Sequence, residues 1–430
     1  MLKPSKLILK IRIFAEIKTQ TMWWMDFGAN VAVFGAKIAS LRNKKIKQWI
    51  DGRRNLPERM ANVIRAEDRV AWFHAASFGE FEEGRPLIEA IRSQYPEYKI
   101  LVTFFSPSGY NAHKNYKHAD WIFYLPTDTG KDVRAFLDIA HPEIAIFIKY
   151  EFWPNLLSEL KKRAVRTFVV SARFIPNSRF FKWYGGTFRN ALKTFETIFV
   201  QDQRSIDLLG KIGYTNTILA GDPRFDRVAA IANTDWKDEI VEKFKKGDKL
   251  FIAGSTCGAA DEDLLQILIN NHPKTKFLIV PHEMDAGPME KIIANTKRKA
   301  LLYTKCTPET DFSDIQVVIV NKIGILALLY RYGNWAYIGG GFIAGIHSVI
   351  EATIYGMPAV FGPNYHKNRP GKEMIELGAC CSVRNAEELD AWFSPIENDD
   401  EKLKVLSDIA YQYCQQNKGS SDIILKKIFE

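Results

Sequence analysis

The sequence is poor in the features that would fix a class at once. Its five cysteines, Cys257, Cys306, Cys380, Cys381 and Cys414, are odd in number, and no two have metal-ligand spacing. The adjacent pair is badly placed for a structural disulfide. These cysteines build neither a disulfide framework nor a zinc site, and they suit a reducing compartment in which thiols are small packed side chains. No short tandem repeat or low-complexity run is present. Neither a dinucleotide-binding GxGxxG opening nor a P-loop ending in GK[ST] occurs. Charge of one sign is also scarce over most of the chain. After residue 70, 44 basic residues meet 44 acidic ones, which argues against a basic nucleic-acid groove across the body.

The charge that is unbalanced sits at one end. Residues 1–70 hold 15 Lys and Arg against 6 Asp and Glu, and so carry the whole net charge of +9. Such an arm suits an anionic surface. Residues 22–41, MWWMDFGANVAVFGAKIASL, place Asp26, Asn30 and Lys37 within about 40° on a helix wheel. Trp24, Phe27, Val31, Phe34, Ile38 and Leu41 gather opposite, and Arg42, Lys44, Lys45, Lys47, Arg53 and Arg54 follow. The segment is marginal as a spanning helix and fits a helix lying in a membrane interface over residues 22–45. The alternative is an amphipathic helix packed on its own domain. No small-residue cleavage site follows the apolar run, so it does not read as a signal peptide. Residues 1–21 fit no part of this scheme and read as an extension before Met22.

A chain of 430 residues suits two domains. From residue 69, short β-rich apolar runs alternate with helix-length amphipathic runs. Strands are expected at 70–74, 100–104, 121–124, 144–148, 167–170 and 197–200. The rhythm restarts after a turn-rich GDPRFDR, with strands at 250–253, 277–280, 317–320, 335–338 and 359–361. This predicts an α/β chain of two doubly wound Rossmann-like domains, at 46–225 and 226–400, closed by a helical segment at 401–430. Ligands are expected in a cleft at the carboxyl ends of the strands.

Four motifs fall at expected strand ends. HAASFGE, residues 74–80, makes a small-residue loop in which Gly79 lets a ligand approach and Glu80 opens a helix, whose positive end favours a carboxylate. An ionised carboxylate suits a general base, although Glu in a first helical turn is also ordinary capping chemistry. YEFWPN, residues 150–155, puts Glu151 beside the same cleft, with Pro154 at its favoured helix-start position. AGST, residues 253–256, offers N–H and O–H groups to a phosphate, or is a plain βα turn. In YIGGGFIAGIHSVIEATIYGMPAVFGPN, residues 337–364, a strand runs into three glycines. A helix is expected from near His347, carrying Glu351 where it can accept ribose hydroxyls.

Together and in this order, these motifs resemble the 3-deoxy-D-manno-octulosonic acid (Kdo) transferase family over residues 45–390. HAASFGE looks like that family's serine–variable–Gly–Glu signature, and YEFWPN is similar to its Glu–x–Trp–Pro–Asn box. SARF at 171–174, with Arg179 and Phe180, looks like its acceptor-side Arg segment, and GDPRFDR resembles its Gly–x–x–Lys–Phe–Asp box. The resemblance implies a GT-B fold and an inverting, metal-independent, cofactor-free transfer of Kdo from CMP-Kdo to a lipid A precursor. It further implies work at the cytoplasmic face of the bacterial inner membrane. Glu80 would be the base, assisted by Glu151 and Arg224. Ser77, Gly79, Arg173 and Arg179 would meet the acceptor. Gly254, Ser255, Thr256, Pro281, His282, Ile323, Gly324, Ile325, Gly340, Gly341, His347, Ser348, Val349, Ile350 and Glu351 would meet the donor.

The chain departs from the family in places. It has Arg224 for a usual Lys, lacks the Arg of Arg–His–Pro near Pro281, has Ser348 for a frequent Asn, and has Lys149 for a frequent acid. Another membrane-lipid glycosyltransferase, a nucleotide-sugar 2-epimerase on the same architecture, and a non-enzymatic membrane or nucleic-acid binder are the competing readings.

Overall fold

A computed structural model describes residues 26, 28–31 and 33–430. The expected extension at 1–21, and Trp24 and Phe27 of the expected amphipathic helix, lie outside the described residues. The chain divides into two compact units. Unit 1 runs to Arg224 and takes up Gly419–Glu430; unit 2 is Phe225–Lys418.

Unit 1 is built on a seven-stranded parallel sheet. Its strands are β1 (Arg69–Ala75), β2 (Tyr98–Phe104), β3 (Trp121–Tyr124), β4 (Ile144–Ile148), β5 (Arg166–Ala172), β6 (Thr197–Val200) and β7 (Thr217–Leu219). The sequence makes these strands because both faces must be apolar. Val70 and Trp72 of β1 enter one core, while Ala71, Phe73 and Ala75 enter the core on the other face. In β4, Ala145 and Phe147 alternate with Ile144, Ile146 and Ile148 in the same way. Each large apolar side chain so buried contributes roughly 1.5–3 kcal/mol.

Unit 2 repeats the plan with β8 (Leu250–Thr256), β9 (Lys276–Pro281), β10 (Lys299–Leu302), β11 (Ile315–Ile319), β12 (Trp335–Ile338), β13 (Ala359–Phe361) and β14 (Cys380–Ser382). Leu250 and Ile252 face one core, and Phe251 and Ala253 the other. The five cysteines, all in unit 2, are free thiols.

Strand order locates the places where ligands can enter. Unit 1 runs β3-β2-β1-β4-β5-β6-β7 and unit 2 runs β10-β11-β9-β8-β12-β13-β14. The chain leaves β1 on one side and returns to β4 on the other, so the loops after β1 and β4 diverge. The same reversal lies between β8 and β12. In parallel sheets such switch points are where ligands bind.

The closing stretch, read from sequence as one helical segment, is two helices belonging to different units. Asp400–Gln416 buries Ala410, Tyr413 and Cys414 in unit 2. Gly419, at φ +96°, ends the connection. Ser420–Phe429 then sets Ile424, Leu425 and Ile428 in the unit 1 core, and Phe429 stacks on Tyr95 at 3.7 Å.

Residues 28–31 and 33–39 are helical. One side of this helix meets the body of unit 1: Asp26 Oδ1 accepts from the Gly130 N–H at 2.6 Å, and Ala29, Val33 and Ala36 are half-buried, while Asn30 and Lys37 are exposed. The opposite side faces solvent: Val31, Phe34, Ile38 and Leu41 are 54, 65, 57 and 84% exposed. No helix among the described residues is long and apolar enough to cross a membrane.

The C-terminal helix gives a direct test. Ile424→Ala, which deletes buried methylenes, is expected to lower the stability of unit 1 by about 2–5 kcal/mol, read by urea denaturation followed through unit 1 tryptophans. Ile423→Ala, altering an exposed neighbour, should change it by less than about 0.5 kcal/mol.

Candidate active site

At the unit 1 switch point, the loops after β1 and β4 are joined by a hydrogen bond across the sheet. His74, the sixth residue of β1, is fully buried. Its Nε2 lies 3.0 Å from Glu151 Oε2, and its Nδ1 lies 2.9 Å from Thr103 Oγ1 on β2. An ionised carboxylate only accepts, so Nε2 carries the proton of the Glu151 bond. Trp153 Nε1 donates to the same oxygen at 2.7 Å. Burial alone would raise the Glu151 carboxyl, but the bonds from His74 and Trp153 outweigh it and hold the group below the usual carboxylate range. Glu151 is therefore a fixed negative charge.

Glu80 stands apart from this pair. It lies in the first turn of the helix Phe78–Gln94 and accepts from Ser77 Oγ. The helix begins two residues earlier than expected, so Gly79 is helical, not part of the loop. A Cβ at Gly79 would meet nothing within 4 Å, which leaves open space over the first turn beside Glu80.

Arg173 and Arg179 join Glu151 around a cavity of about 510 Å³, whose walls include Trp153, Phe180 and Phe188. Arg173 Nε donates to Asp202 at 3.1 Å, and Arg179 lies over the Phe188 ring at 4.7 Å. The cavity thus has a carboxylate, two guanidinium groups and aromatic walls.

Arg224 opens the helix Arg224–Ala232 and is held by a group that sequence reading missed. Asp222 accepts from its Nε at 3.1 Å and from its second terminal nitrogen at 2.6 Å. Glu83, one turn after Glu80 and 1% exposed, lies 3.7 Å from Arg224 and 2.6 Å from Lys149 Nζ. Two buried acids and two part-exposed cations so form a charge-balanced cluster. Burial pushes Glu83 up despite Arg224 and Lys149. Asp222, against its own burial, is held down by Arg224. Lys149, the cation at a position where the family often has an acid, is accommodated by Glu83. It takes a left-handed φ of +65° immediately before Tyr150 and Glu151. Nothing in the sequence spacing flagged Glu83.

The helix after YEFWPN starts at Pro154, as expected, but its cap comes from afar. Asp128 accepts from the N–H groups of Asn155 and Leu156 at 3.2 and 2.9 Å. Asn155 Nδ2 also donates to Asp26 at 3.3 Å. Burial pushes Asp128 up to about 7.

In unit 2 the expected donor residues cluster at the carboxyl edge of the sheet around β8, β9 and β12. The His282 N–H donates to the Thr256 carbonyl at 2.9 Å, and the His282 and His347 rings are 4.4 Å apart. Burial, and then His282, hold His347 below the usual histidine range, so it is neutral at pH 7. Gly339 is required by close approach: a Cβ would lie 2.0 Å from the Ser255 carbonyl oxygen. Gly341 packs closely on Gly362, where a Cβ would lie 2.6 Å from the backbone nitrogen.

One correction arises here. The helix expected near His347 begins at Ile350 and is one turn long, Ile350–Thr353, because Gly356, at φ +77°, and Pro358 end it. Ser348 therefore lies two residues before that turn, and an anion there would meet the dipole of a single helical turn. Val349, Ile350 and Ile325 bury their side chains, so only their backbones can reach a ligand. Ile323 is 82% exposed, and Gly324 is left-handed at φ +88°.

Sequence reading also passed over Asp261. It is buried and accepts from Gly340 N at 2.9 Å, Cys257 N at 2.8 Å and Tyr337 Oη at 2.5 Å, and so ties the glycine turn to the loop after β8. Asp261–Glu262–Asp263 is an Asp–x–Asp run, but Asp263 binds Lys291 at 2.6 Å instead. Among the described residues no three His, Cys, Asp or Glu side chains group as metal ligands.

A family model described as 3-deoxy-D-manno-octulosonic-acid transferase (kdotransferase) matches residues 54–227. A 3-deoxy-D-manno-octulosonic acid transferase of Rickettsia bellii (strain RML369-C) is 26% identical over 389 residues, covering 87% of this chain and 91% of the relative. One of Haemophilus influenzae (strain ATCC 51907 / DSM 11121 / KW20 / Rd) is 25% identical over 378 residues, covering 82% and 85%. Among solved structures, a UDP-GlcNAc 2-epimerase of Neisseria meningitidis superposes with a TM-score of 0.57 at 12% identity, covering 84% of this chain and 99% of that one. That likeness shows the fold alone: two Rossmann-like units of the GT-B kind.

Two predictions come from these side chains. Lys149→Met, which takes the nearer cation from Glu83 and leaves it Arg224 at 3.7 Å, should cost about 1–3 kcal/mol. Glu83→Met with Lys149→Met should cost less than Lys149→Met alone, read by urea denaturation. Asp128 binds its proton more tightly in the folded chain than at its ordinary value of 3.8. It therefore supports folding below that value and withdraws the support as pH rises through about 7. The Tm of the wild type should fall more steeply between pH 5 and 8 than that of Asp128→Asn, in thermal scans across that range.

Proposed function

The chain belongs to the 3-deoxy-D-manno-octulosonic acid (Kdo) transferase family of lipopolysaccharide biosynthesis, and from that premise we propose that it moves Kdo from CMP-Kdo onto a lipid A precursor resembling lipid IVA, with inversion and without a metal. The observation that carries this is the unit 1 switch point. There the Glu80 and Glu151 segments flank the point where β1 and β4 diverge, beside a cavity with two arginines.

In this mechanism an acceptor sugar hydroxyl attacks the anomeric carbon of Kdo. Its proton passes to Glu80 as the new C–O bond forms. The bond from the anomeric carbon to the phosphate oxygen breaks, and its electron pair leaves with CMP. Glu151, fixed as a carboxylate, stabilises positive charge developing on the sugar. Arg224 offers positive charge to the departing phosphate. Only a monophosphate leaves, so no diphosphate has to be clamped by a metal. Arg173 and Arg179 suit anionic groups on the acceptor. In unit 2, the backbone around 254–256 and 339–341, the neutral His347 and its neighbour His282 suit the CMP phosphate, and Glu351 suits ribose hydroxyls.

The placement we propose is the cytoplasmic face of the inner membrane. The support is the N-terminal helix, which turns Asp26 toward its own unit and leaves Val31, Phe34, Ile38 and Leu41 in water. The exposed cations Arg42, Lys44, Lys45 and Lys47 follow it.

Transfer from CMP-Kdo generated in situ to a tetraacylated lipid A precursor, run with EDTA, tests the reading. Wild type should form product, and folded Glu80→Ala should be slower by about 10²–10⁴-fold. Failure of well-folded wild type would remove the donor and acceptor assignments. Undiminished Glu80→Ala would remove the base.

A further inference from the structure

The rim of the unit 1 cavity carries apolar side chains that the chemistry does not use. Residues 173–195 contain five cations, Arg173, Arg179, Lys182, Arg189 and Lys193, and no acid. The segment is firmly framed. Phe174 and Phe180 are buried, and Phe180 packs on Phe152 at 4.8 Å. Arg189 donates to the carbonyls of Phe180 and Lys182, both at 2.9 Å. Gly185 approaches the Arg179 carbonyl so closely that a Cβ would lie 2.2 Å from its oxygen. From this frame Trp183 projects 92% exposed and Tyr184 58%. Ile175, 54% exposed, lies at the cavity itself.

We propose that residues 175–184 are a lip that seats in the interface of an anionic lipid surface, so that the cavity takes its acceptor directly from the membrane. The proposal rests on the lipid acceptor argued above. Its own support is the composition and placement of the rim. Trp and Tyr are the side chains that prefer the headgroup level, with an apolar ring body and a polar edge. The cations within 175–184, Arg179 and Lys182, suit anionic headgroups, and that stretch holds no acid to oppose approach. Ile175 is shared between the lip and the cavity wall, so a lipid entering from the interface would reach Glu151 and Arg173 without crossing bulk water. An acidic protein surface is the competing occupant, and the experiment separates the two.

The full chain is sedimented with phosphatidylcholine vesicles with and without phosphatidylglycerol. Trp183→Ala with Tyr184→Ser should bind the anionic vesicles about tenfold more weakly than wild type, the scale of two lost interfacial aromatics. Vesicles with brominated acyl chains should quench wild type more than Trp183→Phe, which reports insertion of that ring even if the N-terminal helix sustains binding. Transfer to acceptor embedded in vesicles should fall in the double variant, while transfer to an acyl-free, water-soluble acceptor should not. Equal quenching of wild type and Trp183→Phe would overturn the lip. So would loss of self-association in the double variant with vesicle binding unchanged, which would mark a protein contact. The vesicle measurements need neither donor nor transfer, so they stand whether or not Kdo chemistry is observed.

Discussion

Parallel strands deliver all their carboxyl ends to one edge of a sheet, and neighbouring loops normally crowd each other there. Only where the strand order reverses do two adjacent loops turn away in opposite directions and leave room. In this chain that happens once per unit, between β1 and β4 and between β8 and β12. The side chains with the strongest chemical character gather at these two places. His74, Ser77 and Glu80, from the end of β1 to the helix after it, and Lys149, Glu151 and Trp153, from the loop after β4, gather at the first. The Gly254–Thr256 segment and the glycines at 339–341 stand at the second. The apolar alternation that builds the sheets thereby decides where the polar chemistry can be.

Unit 1 spends charge where stability alone would not put it. Buried ion pairs add little to folding because desolvation offsets their attraction. Yet Glu83, Asp222, Lys149 and Arg224 are gathered behind the segment that carries Glu151, and His74 is buried so as to hold that carboxylate. Orientation is the gain. Lys149 is pinned by Glu83 in a left-handed conformation, and the next two residues inherit the direction it sets. The Arg224 guanidinium, fixed by Asp222 at two nitrogens, presents a charge that need not reorganise during reaction.

The sequence was most legible where burial on both faces leaves a continuous apolar run. The inner strands 144–148, 197–200, 335–338 and 359–361 were read to the residue, and so was the edge strand 121–124, whose WIFY run is wholly aromatic or β-branched. The strands missed were β7, β10 and β14. β10 and β14 are the two edges of their sheet and β7 is one edge of the other; all three are short and only part buried, so the apolar signal is weak. The position of His74, Glu151 and the glycine turn could be read from spacing relative to strand ends. The parts that failed depend on contacts distant in sequence. The cap on the Pro154 helix comes from Asp128, the partner of Lys149 is Glu83, and the glycine turn is held by Asp261. A solvated glutamate and a buried one look alike in sequence until the partner's fold position is known.

Hydrogen–deuterium exchange of the full chain with CMP, and separately with lipid acceptor, tests the two-switch-point account most directly. CMP should slow exchange at 254–256, 281–282 and 339–351 and leave 74–80 and 149–153 unchanged. Acceptor should slow exchange at 74–80, 149–153 and 173–184. Protection by CMP at 74–80 and 149–153 with none at 254–256 and 339–351, or by acceptor with none at 74–80 and 149–153, would contradict it.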